Sequence, residues 1–186
     1  KVYTYTGSSD NLTDASNNVA ANNTAITKAM LDIASASDAE RVALIGWTRG
    51  MDVKDADGDG DRTEGRHVVM DPLHSPPVVV IYGGTDAEPD STVFFGDNQG
   101  FLHAINAKNG TRSGYGNSEG ETYFSFIPAD LLKNQKDLFD NSAVSGHPYG
   151  LDGAITTWTR DVDGNNQLNG VGDFVYLFTG MRRGGK

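Results

Sequence analysis

The chain has 186 residues, room for one domain with a sizeable core, and carries a formal net charge of −10. That charge argues against nucleic acid, whose binding rests on Lys and Arg neutralising phosphates, and disfavours anionic membrane surfaces for the same reason. Cysteine is absent, which excludes disulfides and thiolate zinc sites, and no stretch approaches the roughly 18 apolar residues of a membrane helix.

The sequence opens at Lys1 without Met or a signal-like segment and so reads as a processed form or a piece of a longer protein. Val2–Thr6 predicts a strand, followed by a loose polar loop through Gly7-Ser8-Ser9-Asp10. Ile26, Met30 and Ile33 recur at helical spacing, with Leu31 broadening the face, and predict a helix from Thr24. Ser37-Asp38-Ala39-Glu40 is a capping box; it opens a second helix through Val42, Leu44, Ile45 and Trp47, ended by Gly50. Beyond an acidic loop the pattern turns to β. Val78–Tyr82, stopped by Gly83-Gly84, is a β-branched and aromatic run. Thr92–Phe95 and Phe101–Ala107 are strands around the tight turn Gly96-Asp97-Asn98-Gln99-Gly100. Glu121–Ile127 alternates as a further strand, and Pro128 suits the first turn of a short helix near 129–135. Asp137–Gly150 reads as a polar loop, and Ala154–Thr159 and Phe174–Gly180 as the last strands. Trp47 and the strand Tyr and Phe residues read as core. Many short strands with turns at about ten-residue spacing predict a sandwich, barrel or propeller.

Two loops carry the chemistry. Asp161, Asp163, Asn165, Gln167 and Asn169 place oxygen-bearing side chains at relative positions 1, 3, 5, 7 and 9, a spacing that wraps a loop around one hard cation such as calcium. Gly164 and Asn166 stand between the donors, and both tolerate positive φ. Gln167 would contribute its backbone carbonyl, and Asp173 reads as a further ligand or, by preference, as the lead into the last strand. The competing reading is a solvated Asx-rich turn. A cruder array stands at Asp55, Asp57, Asp59 and Asp61, with Glu64 behind. It begins like an EF-hand, but Arg66 holds position 12, where a bidentate acid belongs, and Glu64 holds position 10. A cation site and a flexible acidic loop flanked by Lys54 and Arg62 are both open there. His74, Ser75 and Asp71 are too close in sequence for triad geometry, and no G-x-S-x-G elbow occurs, so a structural His-Ser pair at a strand entrance is expected. His67, His103 and His147 are scattered, with no H-x-x-x-H zinc pair.

Several segments also resemble one family. Asp71-Pro72-Leu73-His74-Ser75-Pro76-Pro77-Val78-Val79 is similar to the D-x-x-H-S-x-P-V-V motif of the type IV pilus tip adhesins, the PilC/PilY-type proteins. Phe95–Ala107 resembles their G-x-N-x-G-x-L-H-A segment, and Phe126-Ile127-Pro128-Ala129-Asp130-Leu131-Leu132 their F-I-P-x-x-L-L run. Leu151-Asp152-Gly153-Ala154 and Gly180–Lys186 are similar to later motifs in the same order. The resemblance implies part of one modified β-propeller over residues 1–186, with a helical lead-in at 1–50 and blades at 51–186, cut from a longer chain. It implies an exported, non-enzymatic protein of the cell surface or pilus tip, the outer membrane or the periplasm. Its implied roles are pilus assembly, surface attachment and calcium-dependent control of pilus extension and retraction. The implied partners are pilins or minor pilins and a host or abiotic surface. Asp161–Asn169 falls on the family's calcium loop, with Asn at positions 5 and 9 where Asp is common, which implies weaker binding. A quinoprotein-type dehydrogenase propeller is the alternative, since Gly100–Gly110 also looks like an A-x-x-A-x-x-G repeat, although the Trp that usually follows is replaced by Thr111-Arg112-Ser113-Gly114-Tyr115.

Overall fold

Glycine-bounded runs of β-branched and aromatic residues supply most of the regular structure. The computed structural model describes residues 1–66, 71–111, 117–141, 146 and 148–185. Strands β1 (Val2–Tyr3), β2 (Val78–Gly84), β3 (Pro89–Gly96), β4 (Leu102–Asn106) and β5 (Thr122–Phe126) form one sheet in the order β1-β5-β4-β3-β2. The four strands β2 to β5 are antiparallel neighbours in chain order, with Val80 opposite Thr92, Phe94 opposite Ala104 and Ala104 opposite Phe124. The short β1 adds in parallel to β5 through Val2 and Ser125. Strands β6 (Ile155–Arg160) and β7 (Phe174–Thr179) make a separate hairpin, paired from Ile155–Thr179 to Arg160–Phe174. The fold is mainly β. Both sheets are open, and the described residues close no propeller. Expected strand ends shift by at most three residues, as where β3 starts at Pro89 instead of Thr92.

The capping box forms as the sequence predicts. In α1 (Asp38–Thr48) the Ser37 hydroxyl accepts from the Glu40 N–H at 3.2 Å, and the Glu40 carboxylate accepts from the Ser37 N–H at 2.7 Å. Each satisfies a donor that the helix itself leaves free. Ser37→Ala should lower stability by about 1 kcal/mol, read as a shifted urea midpoint with an unchanged slope.

The helix expected from Thr24 does not form; residues 21–36 are a chain of turns. Its carbonyls and side chains are engaged elsewhere. The Arg41 guanidinium donates to the carbonyls of Ile26 at 2.8 Å, Ala21 at 2.9 Å and Asn23 at 2.6 Å. The Asn23 amide donates to Ser16 and Asn18 carbonyls, the Thr27 hydroxyl accepts from the Met30 N–H, and Asp32 takes φ 55°. Such side-chain bonds offer the backbone an alternative to the helical ladder. Ile26, Leu31 and Ile33 are nevertheless buried, so their spacing marked the core without marking a helix. The expected short helix is a 3-10 turn, Ala129–Leu131, and α2 (Asn134–Asp140) then occupies the start of the predicted polar loop. Residues 142–145 and His147 of that loop, together with His67, Arg112–Tyr115 and Lys186, lie outside the described residues.

Two apolar cores result. Val19, Ile26, Leu31, Leu44, Ile45, Phe101, Ile127 and Leu132 join the N-terminal turns and α1 to the ends of the sheet. Val80, Phe94, Ala104, Tyr123 and Ile155 join the sheet to the hairpin, with Val175 and Leu177 packed against them. The hairpin covers only one side in this way. Tyr176 and Phe178, expected as core, alternate outward with Trp158 and are more than half exposed. No helix among the described residues is long and apolar enough to cross a membrane.

Candidate metal centre

Residues 161–173 connect β6 to β7, so the hairpin fixes both ends of the loop. The Asp161 carboxylate starts its curl by accepting from the Gly164 N–H at 2.8 Å and the Asn166 N–H at 2.7 Å. Gly164 and Asn166 take φ of 70° and 60°, the left-handed region expected of them. The Asp163 carboxylate accepts from the Asn165 N–H at 3.2 Å and its side-chain amide at 3.0 Å, and the Asn165 side-chain oxygen accepts from the Gln167 N–H at 2.7 Å. One carboxylate oxygen from each of Asp161, Asp163 and Asp173 lies within 4.8 Å of the others. The third of these stood between two expectations, a further ligand and the lead into β7. Asp173 accepts from the Val162 N–H at 2.8 Å and the Gly170 N–H at 2.7 Å, which locks the far end of the loop against its beginning. A carboxylate has about four lone-pair sites, so each retains capacity for a cation. Partial burial raises the Asp161 pKa, but the Asn166 and Gly164 N–H groups outweigh it and hold the carboxyl below its ordinary value.

The loop is also fastened to the five-stranded sheet. The Gln167 side-chain oxygen accepts from the Gly84 N–H at 3.0 Å, its amide nitrogen donates to the Gly84 carbonyl at 3.4 Å, and the Leu168 N–H donates to the Tyr82 carbonyl at 2.7 Å. The Gln167 side chain therefore points at β2, and it fills the space a side chain at Gly83 would need. Asn169 is exposed, and Asn165 spends its side-chain oxygen within the loop.

The earlier acidic loop is built differently. Asp55 accepts from the Gly60 N–H at 3.0 Å, Asp59 from the Asp61 N–H at 2.7 Å, and Asp61 from the Thr63 N–H at 2.8 Å. These carboxylates shape successive turns. Asp57 comes near Asp55 and Asp59 and, in a second grouping, near Glu64 and Asp52. Asp52 had no place in the sequence pattern, although it stands three residues ahead of the array at the end of α1. Repulsion from Asp59 raises the Glu64 pKa first of all, followed by desolvation and by Asp57 and Asp61.

His74 belongs to a different assembly. Its Nδ1 lies 2.6 Å from Asp152, whose carboxylate also accepts from the Arg183 guanidinium at 2.8 and 3.2 Å, and that guanidinium stacks on Tyr149 at 3.8 Å. The Arg183 hydrogen bond holds the Asp152 carboxyl down to about 2, against the opposing push of burial and with help from His74. The Ser75 hydroxyl accepts from the Gly96 N–H at 2.9 Å and is buried. His74 and Ser75 thus fasten separate parts of the chain rather than face each other. His103 is likewise bonded to Asp97 at 2.8 Å and Ser125 at 2.9 Å.

No family model, curated protein or solved structure matches the chain.

Proposed function

We propose that the chain is a calcium-binding β-propeller module of a type IV pilus tip adhesin, acting in pilus assembly, surface attachment and calcium-dependent control of pilus extension and retraction. The observation that carries the calcium reading is the convergence of Asp161, Asp163 and Asp173 in a loop already curled by Gly164 and Asn166. Three carboxylates supply hard oxygen donors of the kind calcium takes, and the Gln167 backbone carbonyl would add a fourth. The four consecutive antiparallel strands β2 to β5 have the order of one propeller blade, and the β6–β7 hairpin packed on them has that of a second in part. The pilus assignment rests on the ordered sequence motifs, of which His74, Ser75 and Asp152 serve as fasteners between segments. In this reading the protein is exported and meets pilins at the tip and a surface outside, without catalysis. The ion selects an ordered loop over a loose one and so biases the face that the hairpin presents.

Asp161→Ala combined with Asp163→Ala should abolish calcium binding at this loop in calorimetry. In cells carrying the same pair of changes, surface attachment and pilus-driven motility should stop responding to calcium. Unchanged calcium stoichiometry would refute the site; a lost site with an unchanged cellular calcium response would refute the pilus role.

A further inference from the structure

Asp52 follows α1 and is 4% exposed. Its N–H donates to the Glu64 carbonyl at 2.9 Å, and its Oδ2 accepts from the Ala56 N–H at 2.8 Å, so one residue ties down both ends of the acidic loop. Its other oxygen, Oδ1, is buried and meets no donor. A carboxylate oxygen taken from water without a partner is costly, and native structures seldom leave one so.

The surroundings sharpen the imbalance. One carboxylate oxygen from each of Asp52, Asp57 and Glu64 lies within 4.8 Å of the others. Arg66 offsets part of that charge through its attraction to Asp52, but its guanidinium stacks on Trp47 at 4.1 Å and donates to the Trp47 carbonyl at 2.9 Å. Its Nε is itself buried without an acceptor, so it makes no hydrogen bond to the stranded oxygen. Three converging carboxylates against one guanidinium leave negative charge that a hard divalent cation fits.

We propose that Asp52, Asp57 and Glu64 form a second cation site, for a calcium-sized divalent ion, that clips the acidic loop onto the C-terminal end of α1. Asp55, Asp59 and Asp61 shape the turns of the loop, as Asp57 also does by accepting from the Asp59 N–H at 3.3 Å, but of these four only Asp57 converges with Asp52 and Glu64. The site stands independently of the pilus reading and of the Asp161 loop, since the two groups share no residue.

The test uses the full chain carrying Asp161→Ala and Asp163→Ala, titrated with calcium chloride by calorimetry and scanned for thermal unfolding with calcium or with chelator. One calcium equivalent should remain, and calcium should raise the unfolding temperature. Adding Glu64→Gln or Asp57→Asn should weaken the remaining affinity by about tenfold or more, because affinity follows the charge count of the ligands. Adding Asp61→Asn should leave it within about twofold, since that carboxylate lies outside the ligand set. Asp52→Asn should act like Glu64→Gln; should it fail to fold, the two exposed-loop changes still decide. Absence of calcium heat and of any thermal shift in the Asp161→Ala, Asp163→Ala chain overturns the proposal. So does equal affinity after both Glu64→Gln and Asp57→Asn. If the Asp161→Ala, Asp163→Ala chain binds as many equivalents as the parent, the first loop's assignment fails while this one stands.

Discussion

Asp152→Ala is expected to lower the unfolding temperature by on the order of 5 °C, since it empties a buried position and removes the acceptor that holds His74 and Arg183. Asp152 is 1% exposed and joins three distant pieces of chain: the 71–77 segment through His74, the 148–154 segment through its own backbone, and the C-terminal turn through Arg183. His74 and Arg183 are half open to water, so much of the effect comes from the buried carboxylate and its geometry rather than from attraction between charges. The same pairing fixes a pH dependence. The folded carboxyl lies at about 2, below its ordinary 3.8, so its contribution is complete above the ordinary value and is lost as pH falls toward 2. Calorimetric scans between neutral pH and pH 2 should therefore show the parent losing stability in that window and Asp152→Ala losing less. Parallel pH profiles for the two chains would contradict the account.

Ile26→Ala should cost about 2–5 kcal/mol, the range for emptying a buried aliphatic site. Ile26 is fully buried among Val19, Leu31, Leu44, Ile45, Ile127 and Leu132, although it sits in a segment without regular secondary structure. Val79→Ala, on the outward face of β2, should cost far less. Urea denaturation of both variants checks the contrast. Similar small losses would mean that the turns at 21–36 are loosely attached.

That contrast shows where the sequence is readable. The capping box at Ser37 and the strands bounded by glycine are legible because their determinants lie within a few residues. The segment from Thr24 is misread because apolar spacing reports burial, while the choice between helix and turn is made by Arg41, which arrives from the next element to take the carbonyls of Ala21, Asn23 and Ile26. Spacing found Asp161 and Asp163 for the same local reason that it found the strands. It left Asp173 undecided and passed over Asp52, whose carboxylates join their clusters through the closure of a hairpin and the approach of a loop to the end of a helix. Their signal is faint: an acid just past the end of a regular donor array in one case, and one just ahead of it in the other. Tyr176 and Phe178 were misassigned because alternation names two faces of a hairpin without saying which is covered.

The attachment of Gln167 and Leu168 to β2 has a further consequence. β2 is the edge of the five-stranded sheet, and unpaired edge groups are templates on which another chain can add a strand. The Gln167 side-chain amide gives Gly84 one donor and one acceptor, the same pair of bonds a neighbouring backbone would give, and Leu168 takes the Tyr82 carbonyl. The 161–173 loop is thereby a stopper on the sheet: whatever loosens it also uncaps a surface for self-association, so the resistance of this edge to aggregation is set by the order of one short stretch of chain.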